Sequence, residues 1–343
     1  MKILHILSTD RLSGAENVHL DILRALASSE EFDGAYASPD GPIREAVEAA
    51  GVRFIPVDPE SPKNIASLFS EFRADLVHAC DPRMSFKCAA AGVPFISHLH
   101  NNCPWMKKLT PNSAALRYAV RRARAVIAVS DSVADDFIFR RSFKDKLSVI
   151  PNTVDRKKVL TMAREGYDAE YDLLFVGRLT DQKRPLLFLD HVAALTREIP
   201  SLRAAMLGEG ELLPDVKSHI ASLGLTNVDL RGFDINPYRV MARSKIIVFT
   251  SSFEGFGLVA VEGAILGLPV VAYPVGGITK IAERCGFICS SDGGMRSTLR
   301  RLLSDSGEYA AASERAARAS YDFTDTEGYV SKIKAVYLKS CGK

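Results

Sequence analysis

Short apolar, β-rich runs alternate with stretches whose apolar positions recur at helical spacing, a pattern that predicts parallel sheets covered by helices. In the first half the pattern predicts strands at "KILHIL" (2–7), "FIPV" (54–57), "DLVHA" (75–79), "PFISHL" (94–99), "AVIAVS" (125–130) and "LSVIP" (147–151). Helices are predicted between them, most clearly at 15–28, 43–50, 63–73 and 113–123. The alternation breaks over the polar segment 151–172. It resumes with strands at "LLFVG" (173–177), "RAAMLG" (203–208), "VDLRG" (228–232), "KIIVFT" (245–250) and "PVVAYP" (269–274). Two α/β units, 1–152 and 153–325, are expected, with a last helix at 326–343 that either caps the second or crosses back to the first.

Length supports the division, because 343 residues exceed what one hydrophobic core usually serves. A net charge of +3 is too small to imply nucleic-acid binding. Six scattered cysteines form no Cys-x-x-Cys pair, which fits a reducing compartment. The N-terminal apolar run lacks the features of a secretion signal, and no apolar stretch reaches bilayer-spanning length. The expectation is a cytoplasmic protein.

Candidate chemistry lies just past the predicted strands, where open α/β sheets bind ligands. Gly14 follows the first strand and opens a helix, so it serves either a simple turn or the close approach of an anion to helix amides. Arg178 and Lys183, in "VGRLTDQKRP", are either solvated loop cations or a fork and a point charge suited to a diphosphate. In "SSFEGFGLVAVEGAILGLPVVAYPVGG" (251–277), Glu254 stands at a turn and Glu262 inside an apolar helix. The free amides near Phe256, Gly257 and Leu258 would form an anion site at the helix tip. Helical rise places the two acids ~12 Å apart at most, about right to hold hydroxyls of two sugars flanking a diphosphate. The plainer alternative makes Glu254 an acid favoured by the helix dipole and Glu262 a core acid satisfied by backbone.

With these segments in order, the chain resembles the retaining GT-B glycosyltransferases of family four. The E-x7-E motif stands as Glu254 to Glu262, accompanied by "GLPVVAYPVGG", "GRLTDQK", "VIPNTVD", "SGAE" and "GEGEL". The resemblance implies two Rossmann-like domains facing an interdomain cleft, acceptor on the first and nucleotide-sugar donor on the second. It implies that Arg178 and Lys183 neutralise the donor diphosphate, that Glu262 holds the ribose and that Glu254 sits beside the donor sugar. Phe256, Gly257 and Leu258 would contact phosphate or sugar, and Gly14 would bring the first domain's loop to the diphosphate. The base would lie near Gly208, Gly210 and Arg231. His100, in "SHLHNN", matches the family's catalytic-histidine region, whereas His98 reads as structural. His5, His78, His191 and His219 carry no distinguishing context.

The expected reaction is retaining transfer of a hexose from a UDP- or GDP-sugar to a carbohydrate or lipid-linked acceptor, in surface polysaccharide or glycolipid synthesis. No Asp-x-Asp triplet is present, so no metal and no cofactor is expected. A same-fold nucleotide-sugar epimerase and a non-catalytic nucleotide-sugar-binding partner are the competing readings. Segment 107–124 holds six basic residues and no acid, with Arg117, Arg121 and Arg124 spaced for one helical face. It is either an ordinary solvated helix or a peripheral contact with anionic lipid at the inner face of the cell membrane.

Overall fold

Parallel strands sandwiched by helices must be apolar on both faces, and the strand segments of the first half meet that demand. In the computed structural model of the protein, which describes residues 1–166 and 169–342, every residue of Leu76–Ala79 and Phe95–Leu99 is buried. The first unit begins β1 (Lys2–Ile6), α1 (Gly14–Ala27), β2 (Asp33–Ser38), α2 (Ile43–Ala49) and β3 (Arg53–Pro56). It continues α3 (Pro62–Phe72), β4 (Leu76–Ala79), α4 (Pro82–Ala91), β5 (Phe95–Leu99) and α5 (Pro111–Arg122). It closes with β6 (Ala125–Ala128), α6 (Asp131–Asp135) and β7 (Leu147–Val149). All pairings are parallel, in the order β3-β2-β1-β4-β5-β6-β7.

The second unit runs α7 (Arg156–Met162), β8 (Tyr171–Val176), α8 (Pro185–Thr196), β9 (Ala204–Leu207), α9 (Leu213–Ser222) and β10 (Val228–Gly232). Then come α10 (Tyr238–Met241), β11 (Ser244–Phe249), α11 (Leu258–Ile265), β12 (Val270–Ala272) and α12 (Ile278–Cys285). It ends with β13 (Gly286–Ile288), α13 (Asp292–Ser304) and α14 (Ser306–Ala319). Its parallel sheet has the order β10-β9-β8-β11-β12-β13, so the strand order reverses between β8 and β11. Its core gathers Phe175, Phe188, Leu189, Val192, Val248 and Val271 from the central strands and α8.

The chain divides into Met1–Asn152 plus the segment from Thr326 onward, and Thr153–Asp325. The last helix, α15 (Thr326–Ser340), belongs to the first unit, where its Tyr337 is fully buried and hydrogen-bonded to His5 and His78. Two strands went unread in the sequence, β2 and β13. The segment read as a break contains helix α7, capped by the Asp155 carboxylate, which accepts from the Lys158 amide at 3.0 Å. Among the described residues no helix is long and apolar enough to cross a membrane.

Helix α5 corrects one expectation. Thr110 and Ser113 form a reciprocal capping box at its start, and Leu116, Ala119 and Val120 are buried. Arg117 and Arg121 line a recess of about 500 Å³ with Ile138, Phe139, Arg141 and Ser142. Arg124 does not join them. It lies beyond the end of the helix, and its guanidinium donates to the Ser340 carbonyl at 2.8 Å.

Candidate active site

Four loops leave the carboxyl ends of β8, β9, β11 and β12, and close backbone packing knits them together. The Leu179 amide donates to the Glu209 carbonyl (2.9 Å), and the Leu212 amide to the Leu179 carbonyl (3.0 Å). On the other side, the Ser252 amide donates to the Gln182 carbonyl and the Gly277 amide to the Glu254 carbonyl. Glycines make this approach feasible. A Cβ on Gly208 would lie 1.9 Å from the Gly177 carbonyl oxygen, and Gly208 has φ +134°. A Cβ on Gly210 would lie 2.3 Å from the Leu179 oxygen. Both residues expected beside a nucleobase thus have a packing reason to be glycine. The seam lies where β8 and β11 adjoin, the topological switch point at which doubly wound sheets bind ligands.

Lys183 Nζ sits 2.7 and 2.9 Å from the two oxygens of Glu254, with both side chains largely buried. Gln182 Nε2 donates to the Phe253 carbonyl at 3.1 Å. The Thr250 hydroxyl lies 2.8 and 2.9 Å from the carbonyls of Lys183 and Arg184 and so anchors the turn that carries the lysine. Arg184 holds that turn at φ +48°, a left-handed value costly for a residue with a side chain. The sequence pointed to Glu262 as the acid sunk in apolar surroundings. The structure reverses this: Glu254 is 7% exposed, whereas Glu262 is only half-buried. A turn residue ends up deeper than a helical one because the loop after β12 covers it, its Gly277 amide bonded to the Glu254 carbonyl.

Helix α11 starts behind Gly257, whose φ of +100° turns the chain sharply into the first helical residue, Leu258. The amides of Phe256, Gly257 and Leu258 make no hydrogen bond to another described residue, so the tip keeps its donors for an anion. Glu262 accepts from the Tyr238 hydroxyl at 3.1 Å, a partner that no spacing in the sequence discloses. Arg178 is exposed beside Gly208, whose added Cβ would stand 3.6 Å from its amide. Arg231, on the edge strand β10, meets Asp229 at 3.3 Å. The second unit therefore brings Arg178, Lys183, Glu254, Gly208, Gly210 and the amides at 256–258 to one rim, with Glu262 about one turn further along α11.

Gly14 and His100 belong to the first unit. Gly14 is the opening residue of α1, after an extended Ser13 whose hydroxyl donates to buried Glu16. His100 follows the last residue of β5 and is half-buried. Its Nε2 lies 3.1 Å from His19 Nε2, and its Nδ1 is shielded from solvent without a partner. His5, His78 and His98, two of which had no distinguishing context in sequence, pack with His19 and His100 in one cluster. Residues 73 positions apart, such as His5 and His78, become register partners on adjacent strands, which sequence spacing does not reveal.

Residues 12–158 match the family model described as Glycosyltransferase Family 4, and residues 162–319 match Glycosyl transferases group 1. An uncharacterised glycosyltransferase of Methanocaldococcus jannaschii is 30% identical over 38% of this chain and 35% of its own length. The alpha-D-kanosaminyltransferase of Streptomyces kanamyceticus is 24% identical over 56% of this chain and 55% of its own. The chain thus spans about a third to a half of these curated relatives. Anabaena HepE, solved in complex with UDP and glucose, superposes with a TM-score of 0.85 at 21% identity, covering 98% of this chain and 99% of that one. One glycosyltransferase family model matches each unit, and the chain shares with HepE the GT-B fold of two parallel-sheet units over nearly its whole length.

Proposed function

We propose that the chain transfers a hexose from a nucleotide-diphosphate donor to an acceptor hydroxyl with retention at the anomeric carbon, and without a divalent metal. The carrying observation is the rim of the second unit, where a buried Lys183–Glu254 pair stands with free helix-tip amides and an exposed arginine. As the glycosidic bond breaks, negative charge grows on the leaving diphosphate. Arg178, Lys183 and the amides of Phe256, Gly257 and Leu258 are preorganised donors for it. Glu262 grips the ribose hydroxyls, and Glu254 orients the donor sugar, its charge held in place by Lys183. The base lies against Gly208, Gly210 and Arg231. Attack comes from the face the diphosphate leaves, with a phosphate oxygen taking the acceptor's proton. In the first unit, Gly14 opens a helix whose amides can take an anion, and the unpartnered Nδ1 of His100 can bond a sugar hydroxyl. Such a bond recovers the roughly 1–3 kcal/mol that an unsatisfied buried group costs.

The acceptor side fits a lipid-linked sugar presented at an anionic membrane surface. Three arginines, Arg117, Arg121 and Arg141, line one recess with Ile138, which is 49% exposed. Guanidinium groups beside an exposed apolar side chain suit a phosphate with acyl chains near it.

A thermal-shift panel of nucleotide sugars, with UDP-sugars first because HepE was solved with UDP and glucose, should reveal one stabilising donor. Nucleotide release from that donor should then require acceptor and survive EDTA. Sedimentation with phosphatidylglycerol vesicles should weaken as salt rises. Turnover of donor without acceptor, as an epimerase would show, would overturn the transfer reading.

A further inference from the structure

Five of the seven histidines form the buried cluster, drawn from β1, α1, β4 and the end of β5. Joined by Tyr337 of α15, they make one unbranched chain of hydrogen bonds. His100 Nε2 lies 3.1 Å from His19 Nε2, and His19 Nδ1 lies 2.8 Å from His5 Nδ1. His5 Nε2 is 3.0 Å from the Tyr337 hydroxyl, which is 2.7 Å from His78 Nδ1. His78 Nε2 is 3.0 Å from His98 Nδ1. The chain bends back on itself, for the rings of His98 and His100 stand 3.9 Å apart. Its two outer nitrogens, His98 Nε2 and His100 Nδ1, are buried and unpartnered.

Burial holds these rings neutral, with His5 and His100 pushed down to about 3 and the other three well below the ordinary histidine value. A neutral imidazole carries one N–H, and each contact in the chain accommodates one proton. One ring's choice therefore dictates the next. If the Tyr337 hydroxyl donates to His5, then His5 donates to His19 and His19 to His100, so His100 keeps its own proton on Nδ1. If Tyr337 accepts from His5, the order reverses, and His100 Nδ1 is a bare acceptor.

We propose that Tyr337 is a positioning residue whose hydroxyl, through His5 and His19, fixes the tautomer of His100 and so decides whether Nδ1 meets a sugar hydroxyl as donor or acceptor. Its effect on turnover rests on the substrate-facing role proposed above for His100; the tautomer relay itself does not. A bound metal is the competing occupant, because nitrogens of His19, His98 and His100 lie within 4.8 Å of one another. Among the described residues the groups near enough to share an ion are histidines alone, a donor set that a dication can use, so metal content is one arm of the test.

The test uses the full chain with 15N-labelled histidine and long-range 1H–15N correlation at pH 7. The unaltered protein should show His100 as one neutral tautomer. Tyr337→Phe, which keeps the ring and removes the hydroxyl, should turn that signal into a mixture while leaving His191 and His219 unmoved. In parallel, kcat should fall several-fold with donor KM unchanged. Should that variant fail to fold, His19→Gln, adjacent to His100, must produce the same loss of a single tautomer. If His100→Gln transfers sugar at the normal rate, the catalytic reading of His100 fails while the NMR result for Tyr337 stands. Unaltered His100 shifts in Tyr337→Phe would overturn the relay. So would stoichiometric Zn2+ or Co2+ retained through dialysis and lost in His19→Gln.

Discussion

Glu254 keeps a carboxylate in a protein interior because one ammonium meets both its oxygens. Removing one partner of such a pair strands the other, whereas removing both charges is far milder. Lys183→Met should therefore lower unfolding free energy by about 3–5 kcal/mol. Glu254→Gln added to it should restore most of that loss, and urea titrations of the four proteins give the coupling directly. Simple additivity would show that the two side chains do not act as a pair. Residues of this kind were only partly legible in the sequence. The eight-residue step from Glu254 to Glu262 is visible in one dimension, but the depth of each acid is set by loops that arrive from elsewhere. Tyr238 on Glu262 and His19 on His100 are contacts between distant segments, and neither has a local signature.

Strands and helices were legible where their hydrophobic period is long and clean, as in β1, β5, α3 and α15. Strand β2, "DGAYAS", is made mostly of small residues with little β-preference, and parallel pairing on both edges supplies what its side chains do not. Strand β13 has three residues, and a Cβ on its Gly286 would fall 1.8 Å from the Val270 oxygen, so close backbone contact defines it. The same geometry makes the loop after β9 intolerant. Gly208→Ala must move the Gly177 carbonyl and adopt φ +134°, with an expected loss of about 2–3 kcal/mol and at least tenfold weaker donor binding. Gly293→Ala in α13, which has nothing within 4 Å, should instead stabilise by about 0.5–1 kcal/mol. Calorimetry of the two variants, with donor titration of the first, checks both expectations. Equal effects would sink the steric argument.

Across the molecule, the buried histidines tie stability to acidity. Their folded values lie below the ordinary 6.5, so as pH falls below about 6.5 the unfolded chain binds protons that the folded one refuses. Stability should thus fall as pH drops through 6.5, by about 1.4 kcal/mol per pH unit for each of His5, His19, His78 and His98 once their unfolded forms are fully charged. Urea unfolding at pH 7.5, 6.5 and 5.5 measures the slope, and a flat profile would mean that the rings are already charged or open to water. The division into two α/β units was readable from the break after residue 151. Which unit receives the last helix was not, since an amphipathic pattern does not name its partner. That helix sets an order of events during synthesis on the ribosome. Tyr337 of α15 closes the interior of a unit whose earlier residues end at Asn152, so that unit stays unfinished until α15 has left the exit tunnel.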